Sequence, residues 1–289
     1  MHQLTTIAKT GMISLAFLLS SCSAMHKNSG WQPLLDKNLS QWEVWMGVPH
    51  KSVTGLPEGT YQADNLKTNI GTGMGLDNDI KQVFTVLEEA GQPVLKITGE
   101  IYGGLTTLKN YQNYHFRTQF KWGEQKWAPR LTAKRDSGIL FHCRGEHGVF
   151  WNVWKACQEF QIQETDIGDY IPLAGPAAQV RSEKMAKLYQ YNPDMPARLT
   201  KGYTMASKEL DAPHGHWNTL DLYAVNDMAV FVVNNEVVMV IEGSINNAGE
   251  KLDSGQIQIQ SEGAELYYRQ MKIREITRLP MNIQQQVGL

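Results

Sequence analysis

The chain has 289 residues, 19% of them charged, a formal net charge of −2 and no run of Lys and Arg. That balance argues against nucleic-acid binding, because an electrostatic footprint on phosphate needs clustered cations. Eight Trp and eleven Tyr suit a protein that presents aromatic faces to a flat hydroxylated ligand, with part of them serving as ordinary core. No Gly-x-Gly-x-x-Gly motif follows a strand pattern, so NAD is not expected, and the glycine-rich stretch from residue 71 reads as a loop.

The first 21 residues read as an export signal: Lys9 in a short polar start, an apolar run over residues 12 to 19, then Leu19-Ser20-Ser21-Cys22. The apolar run is too short to span a bilayer, which takes roughly 20 helical residues. The small residues before Cys22 resemble a bacterial lipobox, which implies cleavage before Cys22 and lipid attachment there. Ser23 at the next position favours the outer membrane, so the expected location is the bacterial cell envelope, with the lipid as the only membrane contact. Residues 22 to 30 form a polar tether, and residues 31 to 289 are expected to form one domain.

From Trp31 onward most periodic segments have period two, which predicts strands over residues 93 to 100, 115 to 122, 218 to 225, 229 to 233, 236 to 241, 255 to 260 and 265 to 275. Asn234-Asn235 is a hairpin turn signal, since Asn tolerates positive φ. Helical spacing is confined to residues 79 to 89 and 182 to 188. Many short strands with Gly and Asn turns argue for an all-β fold, a sandwich of two antiparallel sheets. Two stretches, residues 122 to 134 and 175 to 216, interrupt the rhythm and are expected to form long loops walling one face.

Two neighbouring polar strands carry the chemistry. Over residues 135 to 144 alternation places Asp136, Gly138, Leu140, His142 and Arg144 on one side, and Ile139, Phe141 and Cys143 on the other. Residues 159 to 164 repeat the pattern, with Glu159, Gln161 and Gln163 opposite Phe160 and Ile162. Pairing apolar with apolar collects carboxylate, imidazole, guanidinium and amides on one face. A solvated edge carries such residues too, so the two readings stand about level. The same parity sets Cys143 and Cys157 on opposite faces, and two free thiols are expected, because a cross-strand disulfide needs both on one face.

Several motifs in order resemble the 3-keto-disaccharide hydrolase family: residues 31 to 42 (Trp31 through Asp36 to Trp42), Asp136-Ser137-Gly138-Ile139, the Glu159 to Glu164 run with Asp166, Gly168 and Asp169 after it, Gly215-His216-Trp217-Asn218, residues 255 to 260, and Tyr268 to Ile273. The match covers most of residues 31 to 276. It implies a concanavalin A-like jelly roll with long loops over a concave face. Two departures fall together: Asn234-Asn235 stands where relatives often have Asn-Gly, and Phe231 where an aromatic-polar residue is frequent.

The resemblance implies a particular chemistry. A ketone at C3 acidifies the C2 proton of a glycoside, a base removes it, the glycosidic oxygen leaves C1, and water adds to give net hydrolysis. The substrate is then an oxidised (3-keto) sugar supplied by a separate dehydrogenase. Glu159 is the first candidate for base or metal ligand and His142 the second for proton transfer. Arg135 and Arg144 are candidates to hold the developing oxyanion, Asp136, Gln161, Gln163 and Gln260 to bind hydroxyls, and Trp151 and Trp154 to stack on the ring. Gln256, Gln258, Gln260 and Glu262 share a face that is equally a plain exposed one. A divalent metal stays open: Glu159 with His142 is one donor set, Asp166 with Asp169 another, suited to Ca²⁺. The alternative function is a non-catalytic carbohydrate-binding module on the same fold. A conventional glycanase is disfavoured, since Glu159 and Glu164 would face opposite ways.

Overall fold

The computed structural model describes residues 30 to 289; the signal segment, Cys22 and the tether before Gly30 lie outside the described residues. Two antiparallel sheets pack face to face. The first runs, in spatial order, Phe84–Glu89, Gln92–Ile97, Ala264–Glu275, Tyr114–Lys126, Asn218–Val225, Met228–Val233 and Glu236–Ile245. The second runs Gly75–Leu76, Trp42–Met46, Gly103–Thr107, Ser254–Ser261, Asp136–Arg144, Ala156–Gln163 and Tyr170–Leu173. Strand Ala177–Met185 pairs with Glu236–Ile245 and joins the sheets along one edge. This is the all-β jelly-roll sandwich that the strand pattern and the family resemblance led one to expect.

Alternation explains the layers. Phe116, Phe120, Leu222 and Tyr268 from the first sheet meet Ile139, Phe141, Phe160 and Ile162 from the second in one buried core. Phe231 is its centrepiece, stacked on Phe160 at 4.5 Å and edge-on to Phe141 at 5.7 Å. The Phe at this departure from the family pattern is therefore a packing residue, and burying such a ring contributes roughly 1.5–3 kcal/mol. The strands expected from period two are all present, and Asn234 and Asn235 adopt φ of 48° and 74° in their turn.

The helical expectations fail. Residues 79 to 89 hold a turn and then strand Phe84–Glu89, because the Asp79 carboxylate accepts the Val83 and Phe84 N–H groups at 2.8 and 2.9 Å and ends the turn there. Residues 182 to 188 fall in a hairpin between Ala177–Met185 and Leu188–Tyr191, turning at Ala186 with φ 46°. The interval from 175 to 216 is not a structureless loop, since it contains those strands and also Ala197–Thr200 and Thr204–Met205. A short helix, Met281–Val287, escapes the periodicity reading; it buries only Ile283 and ends at Gly288 with φ 76°.

One irregularity overturns two further expectations. Glu159 pairs with Leu140 and Gln158 with Phe141, yet Ala156 pairs with Arg144, so strand Asp136–Arg144 carries one extra residue around His142. The same slip recurs against Ser254–Ser261. His142 has φ 49°, and Gly255 lies against it so closely that a Cβ there would come 2.5 Å from the His142 carbonyl carbon. A β-bulge breaks alternation and puts consecutive side chains on one face. His142 thus joins Phe141 on the core side, edge-on to the Tyr114 and Phe141 rings. Cys143 is carried to the other side, beside Cys157, and the two form a disulfide rather than free thiols. The disulfide closes the loop that carries Trp151 and Trp154.

Both ring nitrogens of His142 lack a hydrogen-bond partner, and burial lowers its pKa to about 4. The unfolded chain takes up this proton below pH ~6.5 while the folded one resists until about pH 4. Stability from this group is therefore complete above pH ~6.5 and falls as pH drops through that window, by up to roughly 3 kcal/mol. Denaturant titrations between pH 4 and 7 should show this loss in the native protein and a flatter curve in His142→Phe. Parallel curves would refute the assignment.

Candidate active site

The outward face of the second sheet holds a cavity of about 340 Å³. Glu159 sits on its floor, 3% exposed, opposite Leu140 in the middle of the sheet. Room for its carboxyl comes from the neighbouring strand. A Cβ added at Gly138 would collide with Glu159 Oε1 and come 2.6 Å from Gln260 Oε1. The glycine of the Asp136-Ser137-Gly138 motif is therefore a space requirement, and Ser137 is its inward anchor, donating to the Gln260 carbonyl at 2.9 Å.

The cation of this site is Arg130, delivered by the turn after strand Tyr114–Lys126. Its guanidinium bonds both Asp136 and Glu262. Asp136 also accepts from the Gln163 amide at 2.6 Å. Burial works against the charge of Arg130, but the Glu262 and Asp136 carboxylates outweigh it and raise the pKa. Glu159 has no ion-pair partner among the described residues. Burial first, and the charges of Asp136 and Glu262 second, hold its carboxyl well above the usual carboxylate range, with Arg130 only partly opposing them. Asp136 is raised in the same direction by burial and by Glu262. Three carboxyls share one guanidinium, and Glu159, the one that does not touch it, has its protonated form favoured by these surroundings.

Aromatic side chains wall the cavity. Trp151 stacks on Phe150 with ring centres 4.4 Å apart, Lys67 Nζ lies 5.3 Å above Trp151, and the buried Trp154 donates its indole N–H to the Gly103 carbonyl at 3.2 Å. Ile171, Leu173 and Tyr203 also line it. Asp136 Oδ1, Gln260 Oε1 and Arg130 Nε are buried without partners. Buried polar atoms are nearly always satisfied, so these three are suited to a polar ligand.

Of the residues singled out in the sequence, Asp136, Glu159, Gln161, Gln163, Gln260, Trp151 and Trp154 come together here. Others do not. His142 lies on the core side because of the bulge. Arg135 turns outward, bonding Glu164 at 2.6 Å and the Glu124 carbonyl at 3.2 Å. Arg144, one residue beyond the shifted register, is exposed and binds Ser254 at 2.8 Å. Neither arginine reaches the cavity.

The metal sets fare no better. His142 and Glu159 occupy opposite faces of the sheet. Asp166 pairs with Lys134 at 2.6 Å, while Asp169 accepts from the Tyr203 hydroxyl and from the Ala206 N–H at 2.6 Å. Burial raises Asp169 to about 6 against the pull of those two bonds. Among the described residues no three His, Cys, Asp or Glu side chains are placed to hold a metal ion. The donors do not fit either expected site.

Residues 30 to 274 match the family described as 3-keto-alpha-glucoside-1,2-lyase-like domains. The chain belongs to this family. It is thereby a carbohydrate-acting protein. No curated protein matches it. Similar solved structures include a candidate glycosyl hydrolase from Parabacteroides distasonis ATCC 8503, at 16% identity over 85% of this chain and 99% of the other, TM-score 0.45. The alginate lyase AlyC3 has 11% identity over 84% and 94%, TM-score 0.46. A Bacillus subtilis protein with a galectin-like fold has 11% identity over 86% and 96%, TM-score 0.44.

In this family member, sequence reading missed Arg130, Lys67, Phe150 and Tyr203, which come from loops and short strands with no period to read. Glu262 was legible as the next residue on the Gln258 and Gln260 face. Because the Gly138 neighbours are the ends of flexible side chains, Gly138→Ala should fold, with a stability loss of no more than about 1–3 kcal/mol. It should displace the Glu159 carboxyl and lower kcat/KM about 100-fold on whichever glycoside the protein cleaves. Unchanged turnover in the folded variant would remove Glu159 from the site.

Proposed function

We propose that the protein cleaves 3-keto-glycosides by abstracting the C2 proton, expelling the glycosidic oxygen from C1 and adding water across the resulting double bond. The observation that carries this reading is the environment of Glu159: a buried carboxyl with no cation of its own, beside two acids already bound to Arg130. A base in such a place has its protonated form favoured by burial and by neighbouring negative charge, which makes the ionised form a stronger proton acceptor than an ordinary carboxylate. The C2 proton, made acidic by the ketone, is a fitting target.

Arg130 is the group suited to the enediolate oxygen, in place of Arg135 and Arg144, because its Nε is unpartnered and its charge is secured by two carboxylates. The proton taken by Glu159 is then available to the departing glycosidic oxygen. Trp151 offers a ring face, backed by the buried Trp154, and Gln161, Gln163 and Gln260 offer amides to hydroxyls. No step is routed through a metal, since the donors do not fit one. The sugar ketone comes from a separate dehydrogenase, and the protein works as a lipoprotein of the cell envelope. A purely binding module would gain nothing from three buried carboxyls, which cost stability when desolvated.

Purified protein should release aglycone from a 3-keto-glucoside and not from the unoxidised glucoside. Glu159→Gln should lose about 10²–10⁴-fold of that rate while keeping its fold. Cleavage of the unoxidised sugar would point to a conventional glycosidase, and binding without cleavage to the carbohydrate module. The base must be ionised to act, so log kcat/KM should rise with pH through a limb set by the raised Glu159 pKa. A limb near the ordinary glutamate value of ~4.3 would show that another group is the base.

A further inference from the structure

The outward face of the first sheet, across the core from the cavity, carries a second organised set of side chains. Lys121 on Tyr114–Lys126 and Arg269, Lys272 and Arg274 on Ala264–Glu275 alternate with the inward-facing Phe120, Tyr268 and Ile273. Two acids on this face are engaged, Glu265 with Lys96 at 3.0 Å, and Asp221 with Arg117 at 3.0 Å and His115 at 2.5 Å; Glu89, which lines a groove with Arg269 and Lys272, makes no ion pair within 4.0 Å among the described residues. None of the four cations has a carboxylate within 4.0 Å among the described residues.

Aromatic rings hold them instead. Lys121 and Arg269 lie 4.8 and 4.1 Å from the Trp217 ring centre, and Lys272 and Arg274 lie 4.9 and 4.6 Å from that of Trp31. In a chain of net charge −2 this is a marked segregation of positive charge. Trp with Lys and Arg is the composition of membrane–water interfaces, where the ring sits among headgroups and the cation meets phosphate. The chain also enters the fold at this face, because Gln32 pairs with Ile273 and Pro33 with Lys272. Cys22 precedes Trp31 by nine residues, a reach of at most about 30 Å.

We propose that this face docks on the anionic lipid headgroups of the membrane to which Cys22 is anchored, so that the Glu159 cavity on the opposite sheet faces away from the bilayer. The inference rests on the lipid-anchor reading for how the face reaches the surface and is independent of the catalytic reading. It goes beyond anchoring, since it fixes which side of the sandwich meets the lipid.

The test uses the full lipoprotein reconstituted in vesicles of phosphatidylcholine alone or with phosphatidylglycerol, with amine labelling of individual lysines read by mass spectrometry. In the anionic vesicles Lys121 and Lys272 should label more slowly by about fivefold or more, since each cation near an anionic leaflet shifts such an equilibrium by about that factor. Lys67, at the cavity mouth, should be unchanged. High salt should abolish the protection, and Arg269→Gln should weaken it. Equal labelling in the two vesicle types would overturn the proposal, and so would equal protection by dissolved inorganic phosphate, which would make this a small-anion site. Sedimentation with anionic vesicles only would support the docking face and refute the anchor; sedimentation with neither would refute both.

Discussion

The site depends on one arrangement of charge: Arg130 clamped between Asp136 and Glu262, with Glu159 left outside the clamp. Desolvating so many ionisable groups costs several kcal/mol before any attraction is recovered. The guanidinium offsets that cost for the two acids it touches. It also fixes their positions, since one nitrogen, Nη2, meets both carboxylates. Glu159 receives only the remainder of its field, so its environment is set by negative neighbours and by burial.

The backbone that makes this possible is economical. Gly138 vacates the space for Glu159, Ser137 ties the same strand inward to Gln260, and Asp136 reaches the clamp. Three consecutive residues thus set the spacing between sheet and cavity. The bulge a few residues on then changes which side of the strand each later residue serves. Before it, polar residues face the cavity; after it, Cys143 lies on that side of the sheet, and its disulfide with Cys157 closes the aromatic loop beside the site. Without the extra residue, His142 would face the cavity and Cys143 the core.

This accounts for what alternation could and could not disclose. Strands over residues 115 to 122, 218 to 225 and 265 to 275 were legible because one face is largely apolar and buried, whereas the continuation of the first to Lys126 fell in a stretch read as loop. Asp136, Glu159, Gln161, Gln163 and Gln260 were legible for the same reason, all lying before the bulge or on regular strands. His142, Arg144 and the thiols were not, because one inserted residue inverts parity and leaves no compositional mark; only Gly255, in a different strand, hints at the close approach. Arg130 was invisible for another reason. It comes from a turn, where position is set by tertiary packing against Gly263 and by its acid partners rather than by period. The helical spacing of Ile80, Val83, Phe84 and Leu87 misled because one carboxylate, Asp79, ends the turn within its first residues.

The two outward faces of the sandwich show how differently charge is used when it is buried and when it is not. On the cavity side carboxyls outnumber the single buried guanidinium, and exclusion of water makes each neighbour's charge count, which is what shifts Glu159 and Asp136. On the opposite side cations outnumber acids, yet each stays half exposed against an aromatic ring, so its charge remains available at the surface. Low dielectric suits chemistry on a small neutral ligand, while a solvated array suits long-range attraction to a charged surface. The intervening apolar layer, centred on Phe231 and Phe160, keeps the two fields apart. That separation is itself a reason for a two-sheet fold here, since a single-layer scaffold would set the positive array against the carboxyl cluster and pull the Glu159 pKa back toward its ordinary range.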